Sequence, residues 1–367
     1  MEETSVLVLN AGSSSLKFSL FDCLPGGGWR LVRRGQVEGV EAALAVLSGR
    51  KPAAVGHRVV HGGTRYRSAV IINPEVLSQL REFNCLAPLH QPYNLSGVET
   101  VMERLPGVAQ VACFDTAFHS GHAEVARLIP LPWDLYQSGL QRYGFHGLSY
   151  EFIASVLPEY APEIAGGRVI VAHLGSGASL CALREGRSVD STLSFTALDG
   201  LCMGTRPGSI DPGAVLYLFQ RHGMSVEEVE TLLHRKSGLL GISGISNDMR
   251  DLLGSAEPRA CLAIDFFVYR VTKEIGALTA VLGGLDGLVF TAGIGENSPE
   301  IRRRVCESSA WLGIDLDPEA NARHGPRITT ASSRVSAWVI PTNEELMIAR
   351  HTGRLLRKPG TAREFPQ

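Results

Sequence analysis

One stretch in the middle of the chain limits the possible folds more than any other. Residues Val169–Glu185 read VIVAHLGSGASLCALRE, in which a break of glycine and serine separates two apolar runs. This pattern predicts two strands joined by a tight turn. Because the turn residues have small side chains or none, their backbone N–H groups can approach and surround an anion such as phosphate.

The N-terminal stretch Val6–Asp22 repeats this design. It reads VLVLNAGSSSLKFSLFD and aligns with the later stretch without a gap, so that Asn10 matches His173. Gly12 then matches Gly175. Two such copies predict an internally duplicated fold, in which two related domains face each other and a phosphate-bearing ligand lies between the turns. Two ordinary hairpins would explain the apolar alternation but not the polar residue that stands two positions before each glycine.

The composition excludes several classes of protein. A chain of 367 residues with 44% hydrophobic residues is long enough for two well-packed domains. A formal net charge of -2 argues against a nucleic-acid-binding surface. The 7 cysteines are odd in number and never form a C-x-x-C pair, which fits neither a disulfide framework nor a zinc site and favours a reducing cytoplasm.

Neither export nor membrane insertion is expected. The first residues are acidic where a signal peptide would be basic. The most apolar later stretch, residues 275–294, is interrupted by glycines and by Asp286. Small-molecule ligands are therefore the expected partners.

Helix signals are clear at several places. Asn73 followed by Pro74 predicts a helix start, and so does Pro212, whose helix we expect to end near His222. Ser225 with Glu228 forms a capping box. The long stretch Pro258–Leu282 is apolar with a helical period, which predicts a core helix and a possible dimer contact.

Charged and polar residues stand where two predicted strands end. Ala53–Val60 runs into a cluster of histidine, arginine and glycine that contains Arg58, and Val108–Phe114 ends at Asp115. Sites in α/β folds lie at the carboxyl edge of the strands, so this position favours a functional site. An aspartate there organises Mg²⁺ or handles a proton, but a helix cap explains it equally well.

Four further segments carry candidate site residues. His146 stands between two glycines, and a structural role for it is as good an interpretation as a functional one. Ser194–Gly213 predicts a long glycine-rich loop that presents Arg206 for phosphate or carboxylate binding. Asp248 in a polar turn is explained by a helix cap, with nucleotide contact as the alternative. Leu288–Asn297 predicts a strand, then a glycine turn before a helix that opens at Ser298, a place where a nucleotide can bind.

The missing motifs narrow the choice. No glycine-lysine pair occurs, so the chain has no Walker A loop. The chain instead resembles the acetate and propionate kinase family through motifs that run in family order from residue 6 to beyond residue 345. These motifs are VLVLNAGSSSLKF, GHRVVHGG, APLHQP, FDTAFH, RYGFHG, HLGSGAS, GTRPGSIDP, SGISNDMRD, FTAGIGENS and PTNEEL.

The resemblance implies an architecture and a reaction. The fold would be the duplicated actin-like, ribonuclease H-like α/β fold shared with sugar kinases, with two domains and a cleft between them. An N-terminal domain would take residues 1–117 plus 350–367, and a C-terminal nucleotide-binding domain residues 118–349. The reaction would be the reversible Mg²⁺-dependent transfer of phosphate from ATP to acetate, which gives acetyl phosphate and ADP, in a cytoplasmic homodimer.

Carried over motif by motif, the resemblance implies catalytic roles for Asp115, His146 and Arg206. Arg58 corresponds to the substrate-binding arginine of the family. These residue types suit phosphoryl transfer, in which catalysis consists mostly of positioning and of stabilising negative charge on the equatorial oxygens. Acetate is ionised near neutral pH and requires no general base, so we expect Asp115 to hold Mg²⁺ directly or through water.

The resemblance also implies where the metal and the nucleotide bind. Mg²⁺, with Mn²⁺ as the alternative, would lie near Asn10 and Glu344. The residues implied for binding ATP or ADP are Lys17, His173, Leu174, Gly175, Ser176, Gly177, Asp248, Met249, Arg250, Gly293, Ile294, Gly295, Glu296 and Asn297.

Three positions depart from the family pattern. Ser176 stands where asparagine is usual, Ser209 where aspartate is common, and Ala197 replaces the usual proline at a wall of the acyl pocket. A smaller side chain at that wall favours acceptance of propionate, so propionate or another short-chain carboxylate is the alternative substrate. A nucleotide-dependent switch protein is the alternative from another class, although it would not need three cationic side chains together.

Overall fold

The computed structural model describes residues 5–11, 16–25, 27–47, 49–88 and 90–357. They form two compact units. Unit 1 consists of the described residues within Met1–Ser120, Gly147–Phe152 and Asn343–Gln367, and unit 2 of those within Gly121–His146 and Ile153–Thr342. The domain boundaries expected from the sequence, after residue 117 and before residue 350, stay a prediction.

Each unit is built on one β-sheet. The strands of unit 1 are β1 (Ser5–Ala11), β2 (Leu16–Cys23), β3 (Trp29–Val37), β4 (Ala54–Val59), β5 (Val70–Ile71) and β6 (Ala109–Phe114), in the order β3-β2-β1-β4-β6-β5. Those of unit 2 are β7 (Arg168–Leu174), β8 (Ala178–Arg184), β9 (Arg187–Ser191), β10 (Gly287–Thr291) and β11 (Ser336–Val339), in the order β9-β8-β7-β10-β11.

The two sheets have the same topology. In each, an antiparallel hairpin and a third antiparallel strand are followed by two strands parallel to the first, so β1, β4 and β6 correspond to β7, β10 and β11. Unit 1 adds the short antiparallel strand β5 at its edge. This confirms the duplication that the repeated hairpin predicts.

Sixteen α-helices surround the sheets in the described part of the chain. They are α1 (Val40–Ala45), α2 (Pro74–Arg81), α3 (Gln91–Arg104), α4 (Glu124–Arg127), α5 (Trp133–Gln137), α6 (Gly147–Tyr160), α7 (Pro162–Ala165), α8 (Pro212–His222), α9 (Val226–Arg235), α10 (Gly238–Ser243), α11 (Met249–Leu253), α12 (Pro258–Leu282), α13 (Ala292–Asn297), α14 (Pro299–Ser308), α15 (Pro318–Ala322) and α16 (Glu344–Leu356). Short 3₁₀ turns lie at Glu82–Leu86, Ala117–His119 and Ala310–Leu312. No helix among these residues is both long enough and apolar enough to span a membrane.

Apolar residues of the strands and of the helices that pack on them form the cores. In unit 1, Leu7 and Leu9 pack with Val101 of α3, and Val59 packs with Leu80 and other residues of α2 and α3. The helix α16 packs on β1, β4 and β6. In unit 2, α12 packs on β7 and β8 through a stripe of buried residues at helical spacing, Ile264, Phe267, Val271, Ile275 and Leu278.

Local sequence signals set the helix ends as predicted. The side chain of Asn73 accepts a hydrogen bond from the Val76 N–H, and Ser225 forms the expected capping box with Glu228. The helices α8 and α12 have the predicted bounds. Each is followed by a glycine with positive φ, which ends a helix without steric cost.

The ungapped alignment of the two hairpins is wrong by one residue. The first strands agree, because Asn10 and His173 each occupy the sixth of seven strand positions. Asn10 is paired with Lys17, however, and His173 with Ser179 rather than with the residue that an ungapped alignment requires. The second turn is one residue shorter, and turn length fixes the register of a hairpin. Gly12 lies outside the described residues.

The glycine turn predicted after the strand Leu288–Thr291 is also wrong. The segment Ala292–Asn297 is itself a short helix, α13, and α14 follows at Pro299. Two glycines in six residues lower helix propensity, so the sequence suggested a turn. Tertiary contacts at both ends of α13, described below, outweigh that propensity.

Candidate active site

The polar centre of unit 1 is an ion pair at the ends of two neighbouring strands. Arg58 near the end of β4 donates from Nε to Asp115 Oδ1 at 3.0 Å and from Nη2 to Oδ2 at 2.6 Å. Asp115 directly follows β6 and is buried. Its main-chain carbonyl accepts the Gly147 N–H at 2.9 Å. The two-point geometry of the pair orients the guanidinium plane.

Three further side chains of unit 1 join this pair. Asn10 Nδ2 donates to Glu344 Oε2 at 3.1 Å and to Glu345 Oε1 at 2.9 Å. Asn10 Oδ1 accepts from Arg58 Nη1 at 3.4 Å. We call Asn10, Arg58, Asp115, Glu344 and Glu345 the carboxylate cluster. Glu345 is not among the site residues predicted from the sequence, although it directly follows Glu344 in the PTNEEL motif.

Burial and charge act against each other in this cluster. For Asp115, burial raises the pKa, and the Arg58 guanidinium acts in the opposite direction. For Arg58, burial acts to lower the pKa, but the nearby carboxylates of Asp115, Glu344 and Glu345 outweigh it, so the pKa of Arg58 lies above its ordinary range. Arg58 is therefore a permanent cation.

The two histidines near Arg58 in the sequence, His57 and His61, are buried and hydrogen-bonded within unit 1. His57 is buried and bonded to Gln110, and burial lowers its pKa to about 4. Burial also lowers the pKa of His61 to about 4, and its Nδ1 accepts the Gly63 N–H. Both are neutral near pH 7, so the charged side chain that this predicted strand-end group contributes to the carboxylate cluster is Arg58.

The polar centre of unit 2 lies at the turn between β7 and β8. The rings of His146 and His173 stack with centroids 4.2 Å apart. His146 Nδ1 lies 2.8 Å from Ser179 Oγ. Arg206 Nη1 donates to the Ala197 carbonyl at 2.6 Å. We call His146, His173, Gly177, Ser179 and Arg206 the Gly177 cluster.

The geometry around Gly177 explains the glycine. A Cβ atom on this residue would lie 2.8 Å from Arg206 Nη2 and 3.2 Å from His146 Nε2. Both side chains therefore converge on space that any other residue would fill. His146 itself has φ of 56°, in the left-handed region, at the start of α6. The turn thus places one guanidinium and one imidazole beside a bare backbone.

A cavity of about 620 Å³ opens beside this turn in unit 2. This volume is in the range of small-molecule sites. Its apolar walls are Met249, Leu253, Ile294 and Pro299. Its polar lining comprises Gly175, Ser176, Asn247, Asp248, Arg250, Gly293, Asn297, Ser298 and Glu300.

The cavity contains most, but not all, of the predicted nucleotide residues. His173 and Leu174 belong to β7, Gly177 lies in the turn that follows it, and Gly295 is a buried residue of α13 itself. The Glu296 carboxylate accepts main-chain N–H groups instead of lining the cavity. Lys17 is an exposed residue of β2 in unit 1.

Five lining residues were missed by the sequence analysis. Asn247 and Leu253 flank the predicted turn at Asp248, and Ser298, Pro299 and Glu300 form the start of α14. The helix N-terminus next to a glycine-rich segment is the sequence signal from which the last three could have been predicted. Two neighbouring arginines, Arg303 and Arg304, hold the pKa of Glu300 down at about 2.

The oxygen atoms of the carboxylate cluster are suitable ligands for a hard cation such as Mg²⁺. Mg²⁺ prefers carboxylate and amide oxygens and is commonly bound by one or two carboxylates together with substrate phosphates and water. Glu344 and Glu345, both bonded to Asn10, supply such donors. Among the described residues, no group of three or more His, Cys, Asp or Glu side chains is placed to hold a metal by itself.

The fold and the two clusters define the class of the protein. A duplicated sheet of this order, with charged groups at the strand ends, is the architecture of phosphotransferases with the actin-like fold. The family model described as the Acetokinase family matches residues 40–350. An acetate kinase from Rhodopseudomonas palustris (strain TIE-1) is 52% identical, over 95% of this chain and 98% of the relative. The chain belongs to the acetokinase family.

Solved structures agree with this assignment. The crystal structure of Porphyromonas gingivalis acetate kinase is 35% identical with a TM-score of 0.83, over 96% of this chain and 100% of the other. A propionate kinase from Francisella tularensis subsp. tularensis SCHU S4 is 34% identical with a TM-score of 0.88, over 95% and 98%. The predicted actin-like α/β fold is therefore confirmed.

Proposed function

We propose that the chain catalyses the reversible transfer of the γ-phosphoryl group of ATP to acetate, giving acetyl phosphate and ADP by direct in-line transfer. One observation carries the proposal: Arg206 and His146 converge on the bare backbone of Gly177. A phosphoryl group in transfer spreads negative charge over its equatorial oxygens, and fixed N–H donors stabilise that charge.

The residues of unit 2 would bind the nucleotide and stabilise the transferring group. The cavity at Asp248, Arg250 and Ile294 has the size and the mixed lining for a nucleoside. Arg206 Nη2 would donate to the phosphoryl oxygens, while the Ala197 carbonyl fixes the guanidinium. If the Ser179 hydroxyl donates a hydrogen bond to His146 Nδ1, the imidazole proton lies on Nε2. His146 Nε2 would then be a second hydrogen-bond donor to the phosphoryl oxygens, beside Arg206.

The residues of unit 1 would bind the carboxylate substrate. Within the described contacts, three of the five Arg58 N–H groups donate to Asp115 and Asn10, which leaves two for acetate. Asp115 would orient this fork. Since both of its oxygens accept from Arg58, a further role in holding Mg²⁺ stays a prediction.

Mg²⁺, with Mn²⁺ as the alternative, is the proposed cofactor. Asn10, Glu344 and Glu345 would hold it. When bound, a divalent cation neutralises charge on the phosphates of the nucleotide.

The experiment that tests the proposal is a hydroxamate assay for acyl phosphate with ATP, Mg²⁺ and one carboxylate at a time. Acetate, propionate and butyrate are supplied in turn, and the omission of ATP is the control. We expect acetate to give the highest rate. If none of the three gives acyl phosphate, the proposed function is wrong. ATP hydrolysis that needs no carboxylate would instead favour a nucleotide-dependent switch.

Propionate kinase activity is the second candidate. Ala197 stands where the family pattern has a proline at a wall of the acyl pocket, and a solved propionate kinase shares the fold. Removing a methylene or two of wall volume changes discrimination by about 1–3 kcal/mol. A propionate rate above the acetate rate in the same assay would select this candidate.

We also propose a cytoplasmic homodimer. Leu262, Phe266 and Tyr269 are exposed apolar side chains that form one stripe of α12, the helix for which the sequence predicts a core position and a possible dimer contact. All 7 cysteines are free thiols, which supports a reducing compartment. Light scattering coupled to gel filtration tests the dimer, and a monomer at micromolar concentration would contradict it.

A further inference from the structure

Glu296 was expected to contact the nucleotide, but its side chain points elsewhere. Its Oε1 accepts the Ala292 N–H at 2.8 Å and the Thr342 N–H at 3.1 Å. The Thr291 hydroxyl donates to the same oxygen at 3.4 Å. All three donors thus converge on one oxygen atom of one carboxylate. Glu296 is not part of the cavity lining.

The residue that Glu296 holds is strained. Ala292 has φ of 64°, a left-handed conformation that residues other than glycine rarely adopt. Such a conformation persists only where the surrounding structure imposes it, and the hydrogen bond from the Ala292 N–H to Glu296 does so.

Ala292 lies where two walls of the cavity meet. A Cβ atom on Gly175 would lie 3.6 Å from the Ala292 Cβ and 3.9 Å from the Gly293 nitrogen. Gly175 belongs to the turn after β7, and Gly293 and Ile294 of α13 line the cavity. The backbone position of Ala292 therefore sets the spacing between α13 and the turn that joins β7 to β8.

The other end of α13 is fixed from a different direction. Arg302 of α14 is completely buried, and its Nη1 donates to the Gly295 carbonyl at 2.9 Å and to the Glu296 carbonyl at 2.8 Å. His324 Nδ1 also lies 2.9 Å from the Glu296 carbonyl. Burial lowers the pKa of Arg302 to about 10, so it remains a cation near pH 7. With this end anchored, Glu296 determines where the first residue of α13 lies.

We propose that Glu296 is a positioning residue, whose carboxylate oxygen holds the strained start of α13 against the turn between β7 and β8. It thereby shapes the nucleotide cavity without contacting the nucleotide. The inference rests on the proposed function, because it concerns the same nucleotide site. In this role Glu296 acts as a hydrogen-bond acceptor, and its negative charge is not required.

The test compares three substitutions by ADP binding in a calorimeter, a readout that requires no turnover. Glu296→Gln keeps an acceptor oxygen at the same reach and should bind ADP within about threefold of the wild type. Glu296→Ala removes the acceptor and should weaken binding by roughly 10- to 100-fold. Glu296→Asp keeps the charge but is one methylene shorter, so it should bind more weakly than Glu296→Gln.

Kinetics and a second site sharpen the result. In Glu296→Ala the KM for ATP should rise while the KM for acetate stays unchanged. Ala292→Gly removes the strain, so adding it to Glu296→Ala should restore at least a third of the lost affinity, in logarithmic units. Glu319→Ala, at an exposed position of α15, is the matched control and should leave ADP binding unchanged.

Several results would overturn the inference. Glu296→Asp binding ADP better than Glu296→Gln would show that the charge acts directly. Equal binding by Glu296→Ala and the wild type would remove the positioning role while leaving the proposed function intact. A wild-type chain that binds no ADP would overturn both. The comparison of the Asp and Gln variants decides the matter even if Glu296→Ala does not fold.

Discussion

The two units have sheets of the same topology, but the ends of two equivalent neighbouring strands are connected differently in each. These strands are β4 and β6 in unit 1 and β10 and β11 in unit 2. Ala54 pairs with Val6 as Gly287 pairs with Val169, so Arg58 and Thr291, each four residues further along, occupy equivalent positions. Ala109 pairs with Ala54 as Ser336 pairs with Gly287. Asp115 and Thr342, each six residues further along, are therefore also equivalent.

Unit 1 joins these positions by a buried ion pair, Arg58 with Asp115. Unit 2 has two threonines there and brings in a third residue, Glu296, which accepts from both Thr291 and Thr342. One sheet edge thus ends in an ion pair whose cation is suited to a carboxylate, and the other ends in two threonines that donate to the Glu296 carboxylate next to a cavity. Under the proposed function, the sheet determines where a site lies, while a few strand-end residues determine what it binds.

Breaking the ion pair of unit 1 should have the largest effect. Asp115→Asn leaves the Arg58 cation without its buried partner, so the free energy of unfolding should fall by about 3 kcal/mol or more. Asp265→Asn breaks the exposed Arg304 pair of unit 2 and is the control, with an expected loss below about 1 kcal/mol. Urea unfolding measures both.

The same Asp115→Asn variant tests the metal. If Asp115 helps to hold Mg²⁺, the concentration of Mg²⁺ that gives half-maximal activity should rise. An unchanged metal titration would restrict Asp115 to orienting Arg58. Equal stability losses in Asp115→Asn and Asp265→Asn would contradict the distinction between the buried pair and the exposed one.

Filling the space at the turn of unit 2 should have the next largest effect. In Gly177→Ala the new methyl group displaces Arg206 Nη2 and His146 Nε2, and a misplacement of this size costs about 100-fold in kcat. Gly166→Ala, where a Cβ meets no atom within 4 Å, should keep its kcat. Steady-state kinetics with circular dichroism as a check on folding decides; a Gly177→Ala enzyme of normal kcat would refute the assignment of this turn.

Acid should destabilise the protein gradually through the buried histidines of unit 1. The pKa of His57 is about 4 in the folded chain and 6.5 ordinarily, so between these values the unfolded chain binds a proton that the folded chain does not. Stability is therefore complete above pH 6.5 and falls as the pH drops towards 4, by at most about 1.4 kcal/mol per pH unit for this group. His57→Asn should reduce that slope in urea titrations, and an unchanged slope would show that His57 is not responsible.

The sequence predicts the repeated elements well and the contacts between distant residues poorly. Hydrophobic periodicity and caps gave the bounds of α8 and α12, because these depend on neighbouring residues. The pairing of Lys17 with Asn10 depends on the turn length, which a pattern of apolar residues does not reveal.

The site shows the same division. The sequence predicts Arg58 and Asp115 at strand ends and His146 and Arg206 in glycine-rich segments, and the roles that the family resemblance implies for them stay a prediction. The actual direction of Glu296 could not be predicted, because it depends on Thr342, which is distant in the sequence. The contact between Glu345 and Asn10 likewise joins the two ends of the chain.

The unequal hairpin turns bear on how such a chain can evolve. Three residues separate Leu174 from Ala178, and four separate Ala11 from Leu16, yet both hairpins keep their ladders. After a gene duplication, an insertion or deletion of one codon at that point alters the length of the turn and leaves the strands in place. Each copy could therefore change its chemistry by a mutation that a central strand would not tolerate.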